Sequence, residues 1–231
     1  MAAELKIGDR IRARGAINDG TLGFFCSGRN NITYLASCDH VLKTQSTPDG
    51  GPWNIYFERN AAFSGRIARF EGMGLVDADT PIADFAVAKT LLPVNRTLEL
   101  PAPLPYTRKR RFTGVASVHS GQKVVLWGAA TQQYLSAVIL APEEGRKYAW
   151  PHVKYGLVEY EYQFSVALQP EDAPRVGDSG GYVVTRSGQI TGLIAALSGE
   201  TTETGSGIVH CVPVKQCLER LNLELLTSIG D

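Results

Sequence analysis

Short apolar runs rich in β-branched residues recur along the chain, broken by Gly, Pro, Asn and Asp. Such punctuation predicts many strands joined by turns, and hence an all-β architecture. Helical spacing stands out only near the C-terminus, where Pro213 suits a first turn and Val214, Cys217, Leu218, Leu221 and Leu225 form an apolar stripe. That segment is predicted to be a terminal docking helix. The strand pattern breaks between Leu98 and Arg111, where Pro101, Pro103 and Pro105 alternate with small apolar residues ahead of Arg108-Lys109-Arg110-Arg111. The break is read as a connection, residues 99–112, between an N-terminal unit, residues 1–98, and a C-terminal unit, residues 113–231.

A chain of 231 residues is long enough to bury about 70 to 75 per cent of its unfolded surface. It can fold as one large domain or two small barrels. No fixed-period repeat and no long low-complexity stretch is evident, which excludes an array or a largely disordered chain. Charge excludes more: 23 basic and 23 acidic residues cancel, and one basic tetrad without interleaved aromatics is a weak nucleic-acid footprint. The tetrad reads as a solvated linker or a nick site, and no nucleic-acid partner is expected. No run reaches the roughly 18 apolar residues of a membrane span. Cys26, Cys38, Cys211 and Cys217 have neither CxxC pairing nor zinc spacing, so no metal and no other cofactor is expected. A Cys26–Cys38 bridge is conceivable, but without a signal peptide reduced thiols are preferred, and with them a soluble cytoplasmic protein.

Chemistry concentrates in Gly177-Asp178-Ser179-Gly180-Gly181, which sets a serine on a glycine-flanked turn just ahead of Tyr182-Val183-Val184. Glycine lets a substrate backbone approach, and the amides of Gly177 and Ser179 can both face a developing oxyanion. A hairpin turn of Gly, Asp and Ser would look similar, so the motif needs company. It has it. His40 closes Ser37-Cys38-Asp39-His40, at the end of a strand-like run starting at Thr33, where a general base would serve. His119, His152 and His210 read as structural. Asp84 sits where a polar loop turns into the apolar run Phe85-Ala86-Val87-Ala88, able to be buried yet hydrogen-bonded. Asp77 and Asp79 compete with it but read as solvated turn residues.

The order His40, Asp84, Ser179, with GDSGG, the histidine in SCDHVL and the aspartate in ADFAVA, resembles the trypsin-like (chymotrypsin-fold) serine proteases over most of the chain. Gly20-Thr21-Leu22-Gly23, Val118-His119-Ser120-Gly121-Gln122 and Gly192-Leu193-Ile194 look most like intracellular, non-zymogen microbial members. The resemblance implies two six-stranded Greek-key β-barrels with a C-terminal α-helix, the site lying in the crevice between them. It also implies a serine endopeptidase with His40, Asp84 and Ser179 as its triad and Gly177 and Ser179 as its oxyanion hole. There is no Ile-Val-Gly-Gly activation site, and Val41 stands where the secreted enzymes carry a cysteine. Activation by N-terminal trimming is therefore not expected. In the secreted enzymes the aspartate of the nucleophile motif binds the freed amino terminus, which leaves the partner of Asp178 open.

The resemblance also puts the base of the specificity pocket about six residues before the nucleophile, at Ala173, with walls from Ala195, Ala196, Leu197 and Gly207. An uncharged pocket predicts cleavage after small or medium apolar side chains of a protein or peptide substrate. A shift of that loop would instead bring in Glu171 or Asp172. Two alternatives remain: an esterase with the same triad, and a latent or inactive protease-fold binding module that a partner protein must order.

Overall fold

The computed structural model describes residues 5–13, 19–43, 53–59, 62–70, 73–75, 82–91, 94, 98–140, 149–152, 156–161, 163–202 and 205–228. Asp77 and Asp79 lie outside them. The first strands are β1 (Arg10–Ala13), β2 (Gly20–Thr21), β3 (Phe24–Ser27), β4 (Thr33–Ser37), β5 (Trp53–Arg59), β6 (Ala62–Phe70) and β7 (Ala86–Thr90). One helical turn, α1 (Asp39–Leu42), follows β4. Further along come β8 (Lys123–Trp127), β9 (Leu135–Ile139), the ribbon of β10 (Ala149–His152) and β11 (Gly156–Glu159), β12 (Phe164–Leu168), β13 (Tyr182–Thr185), β14 (Ile190–Thr201) and β15 (Gly207–Pro213). The chain closes with α2 (Val214–Leu221) and β16 (Glu224–Leu225).

These strands form the all-β, two-barrel fold of the chymotrypsin type. Strands β12-β15-β14-β13-β8-β9 close into a six-stranded barrel. The other unit is an eight-stranded sheet in the order β16-β3-β4-β7-β6-β5-β1-β2, whose two end strands are not paired with each other among the described residues. Strand alternation builds each core. In β9, Leu135, Ala137 and Ile139 point into the barrel beside Phe164, Val166 and Leu168 of β12, while Ser136 and Val138 face outward. In the first sheet Phe24, Leu35 and Ile55 are fully buried, as is Phe85 just ahead of β7.

Between β7 and β8, residues 98–112 fold into turns. Leu98, Leu100 and Leu104 are buried, and the amides of Leu100 and Leu104 donate to the carbonyls of Arg110 and Lys109 at 2.7 and 2.8 Å. Arg108, Lys109, Arg110 and Arg111 are exposed. The apolar stripe of α2 is buried at Val214, Cys217 and Leu218. Leu225, assigned to that stripe from its spacing, lies instead in β16 and pairs with Cys26. Asn222 adopts a left-handed conformation at the end of α2 (φ 53°) and ends the helix before Leu225 is reached.

Candidate active site

His40 comes one step later than a strand end: β4 stops at Ser37, and the ring is carried by α1. From there its backbone N–H donates to Asp84 Oδ1 at 3.1 Å, and ring Nδ1 lies 2.6 Å from Oδ2. Asp84, two residues ahead of β7, is fully buried, whereas the His40 side chain is 21% exposed. With Nδ1–H given to the carboxylate, Nε2 keeps its lone pair for other work. Burial alone disfavours the imidazolium. The charge and hydrogen bond of Asp84, with a smaller contribution from Asp39, more than offset that and raise the His40 pKa above its ordinary value. Asp39 itself is fully buried and paired with Lys43 at 2.8 Å.

Ser179 lies on the turn between Asp178 and β13, and its cleft, of about 550 Å³, is shared with His40. Its hydroxyl donates to the Ala195 carbonyl at 3.2 Å, and no hydrogen bond joins Ser179 to His40. The loop's amides are mostly spent. Those of Arg175, Asp178, Gly180 and Gly181 donate to Asp178 Oδ2, Arg175 O, Ile194 O and Asp178 O at 2.7 to 3.0 Å. The amides of Gly177, which is buried, and of Ser179 donate to nothing among the described residues. Gly177 reaches this geometry at φ 103° and Gly180 at φ 84°, values open to glycine and strained for other residues.

The remaining expected residues are placed unevenly. Ala196 and Leu197 line the cleft, joined by Ile194 on the same strand and by Asp19, Arg175 and Val176. Ala195 lies behind the nucleophile, reached through its carbonyl. Ala173 is exposed and outside the lining, and Gly207 sits at the start of β15 opposite Thr201. Glu171 is exposed, and Asp172 is turned away, its Oδ2 accepting the Ser136 amide at 2.7 Å. Asp19, Arg175, Val176 and Ile194 line the cleft although the sequence assigned them no place in it. Val176 alone carried a signal, being an apolar residue beside a glycine turn, and it is 78% exposed.

Cys38, His40 and Asp84 present S, N and O atoms within 4.8 Å of one another. All three are already committed: the Cys38 thiol donates to the Ile194 carbonyl at 3.1 Å, and the other two bind each other. Burial, with the nearby Asp84 charge, pushes the Cys38 thiol well up, away from the thiolate that a metal would need. All four cysteines are unpaired thiols, so the Cys26–Cys38 bridge does not form. His119 is exposed on a turn, and His210, buried on β15, bonds the Ser165 hydroxyl at 3.0 Å.

No protein-family model and no curated protein matches the sequence. Solved structures do match in shape. Thermobifida fusca protease A superposes with a TM-score of 0.66 at 17% identity, covering 98% of this chain and 100% of that one. Nocardiopsis protease gives 0.65 at 18% identity over 97% and 100%, and Cellulomonas bogoriensis chymotrypsin 0.64 at 19% over 98% and 100%. The chain therefore has the fold of the chymotrypsin-like serine proteases along nearly its whole length.

Proposed function

We propose that this chain is a serine endopeptidase working through His40, Asp84 and Ser179. One observation carries the reading: His40, paired with the buried Asp84, lines the same cleft as Ser179, whose loop keeps the Gly177 and Ser179 amides out of internal bonds. A side-chain rotation releases the Ser179 hydroxyl from Ala195 toward Nε2 of His40. Nε2 takes its proton as Oγ bonds to the scissile carbonyl carbon, and the amides of Gly177 and Ser179 hold the oxyanion. Each such donor is worth about 10²- to 10³-fold in rate in comparable sites. Collapse breaks the C–N bond, His40 hands its proton to the departing amine, and water repeats the sequence on the acyl-enzyme.

Ile194, Ala196, Leu197 and Val176 give the cleft an apolar lining, which supports a preference for small or medium apolar side chains before the scissile bond. An intracellular processing or effector role suits four buried thiols left unpaired. Residues 1–98 and 113–231 would then supply His40–Asp84 and Ser179 respectively.

A second reading, a latent module that needs a partner to order it, has one observation in its favour: the Ser179–Ala195 bond in place of a Ser179–His40 bond. Mass-spectrometric profiling of a proteome-derived peptide library with wild type and Ser179→Ala separates the two. Cuts made only by wild type, clustered after apolar residues, are the expected result. Cuts only after Arg or Lys would overturn the pocket assignment, and the absence of Ser179-dependent cuts would overturn the endopeptidase reading.

A further inference from the structure

A buried carboxylate beside the nucleophile must be satisfied by something, and the structure shows by what. Asp178 is 1% exposed. Its Oδ1 accepts the amides of Ala130 and Thr131 at 3.0 and 2.9 Å, and its Oδ2 accepts the Arg175 amide at 2.8 Å together with the Thr131 hydroxyl. A carboxylate offers about four lone-pair sites. Asp178 is thus saturated by its own chain and leaves no site for an outside ammonium group.

Three of those four donors come from one tight turn after β8, closed by the Gln132 amide on the Gly128 carbonyl at 2.9 Å. The same turn is bound across to the first sheet. The Ala129 amide donates to Thr21 Oγ1 at 2.9 Å, and that hydroxyl donates in turn to the Gly177 carbonyl at 3.0 Å. Thr21, fully buried on β2, also gives its amide to the Ser179 carbonyl at 2.7 Å and accepts the Ser37 hydroxyl at 2.8 Å. The carbonyls of Gly177, Asp178 and Ser179 are therefore all pinned, the middle one by the Gly181 amide at 2.8 Å. Because C=O and N–H point in opposite directions across a planar peptide, pinning the Asp178 carbonyl sends the Ser179 N–H the other way.

From this network we infer that Thr21 and Thr131 are positioning residues: together they clasp the Asp178 loop so that the unspent amides of Gly177 and Ser179 are preset, whatever precedes β1 in the chain. The inference rests on the hydrolase reading above and concerns how that site is switched on. A protein so built is competent as folded. Its loop would need neither a cut nor a free amino group.

The test compares wild type, Thr131→Val, Thr131→Ser, Thr21→Val and Thr21→Ser on one peptide amide substrate, with a further wild-type chain extended by ten residues ahead of Met1. Both valine variants are expected to lose kcat by about ten- to hundredfold, short of the 10²- to 10³-fold cost of deleting an oxyanion donor outright, with KM little changed. The serine variants should recover most of the rate, and the extended chain should match wild type. Valine variants with wild-type kcat, serine variants no better than valine, or an extended chain that is inactive would each overturn the clasp. A second readout does not depend on turnover. In the Ser179→Ala protein, Thr131→Val should shift the backbone amide resonances of Gly177 and residue 179, and unmoved resonances would also overturn it. If wild type hydrolyses nothing while those resonances move, the hydrolase reading fails and the clasp stands.

Discussion

At the level of single residues, His40 carries the clearest pH signature. Burial pushes its pKa down, but Asp84 and then Asp39 push it up further, so the net direction is upward from the ordinary histidine value of about 6.5. In the proposed mechanism only the neutral ring accepts the Ser179 proton, so the acid limb of kcat/KM is expected above that ordinary value. The stability term has the opposite sign. A folded-state pKa above the unfolded one stabilises the protein fully below the unfolded pKa, and this contribution is lost as pH rises through the folded pKa. Activity should therefore rise over the window in which this part of the stability is lost. Replacing Asp84 with Asn removes the charge while keeping the shape. Its expected effects are a lower His40 pKa, read by NMR titration in the Ser179→Ala background, and a fall in kcat of about 10⁴-fold. An unchanged His40 titration would show that Asp84 does not set the base.

Turns and strands differ in how plainly their sequences mark the site they carry. The roles proposed for Ser179 and Asp84 rest on marks that a sequence carries locally: glycines around a turn, and an acid at the mouth of an apolar strand. The cleft wall was half legible. Ala196 and Leu197, which the resemblance implied, line the cleft, whereas Ala173, implied in the same way, lies outside the lining beside Asp172, whose side chain bonds the Ser136 amide. The partners of Asp178 were not legible at all. Ala130 and Thr131 stand 48 and 47 positions away, in a turn of Ala129, Ala130 and Thr131 whose residues carry no strong turn signal. Only its glycine hints at the approach: a Cβ at Gly128 would lie 2.2 to 2.4 Å from Oδ1, Cγ and Cβ of Asp178. Gly128→Ala must push that held side chain aside, at about 1 to 3 kcal/mol, and disturb the amides of Gly177 and Ser179 with it. By contrast, Gly207→Ala meets only Leu168 Cδ1 at 3.7 Å and should change stability by less than about 0.5 kcal/mol. Urea denaturation of the two variants checks the contrast, and equal midpoints would contradict it.

For the molecule as a whole, the site is held by bonds that cross between the two sheets: Thr21 to Gly177 and Ser179, and Cys38 to Ile194. The C-terminal segment makes a further crossing. After packing α2 on the barrel, the chain returns to pair β16 with β3, placing Glu224 opposite Ser27 and donating the Leu226 amide to the Phe25 carbonyl at 3.0 Å. Leu223, 7% exposed, covers Gly28 at the end of β3. Strand β3 in turn pairs with β4, which leads directly into the His40 helix. Deleting residues 223–231 uncovers that edge and removes a buried leucine worth about 1.5 to 3 kcal/mol, besides the β16 hydrogen bonds. The truncated chain should unfold at lower urea. Because Thr21 and Cys38 still bind the sheets to each other, it should do so in a single transition, whether followed by Trp fluorescence or by far-ultraviolet circular dichroism. Two separated transitions would mean that the sheets are stabilised independently, and an unchanged midpoint would mean that β16 merely rests on the first sheet.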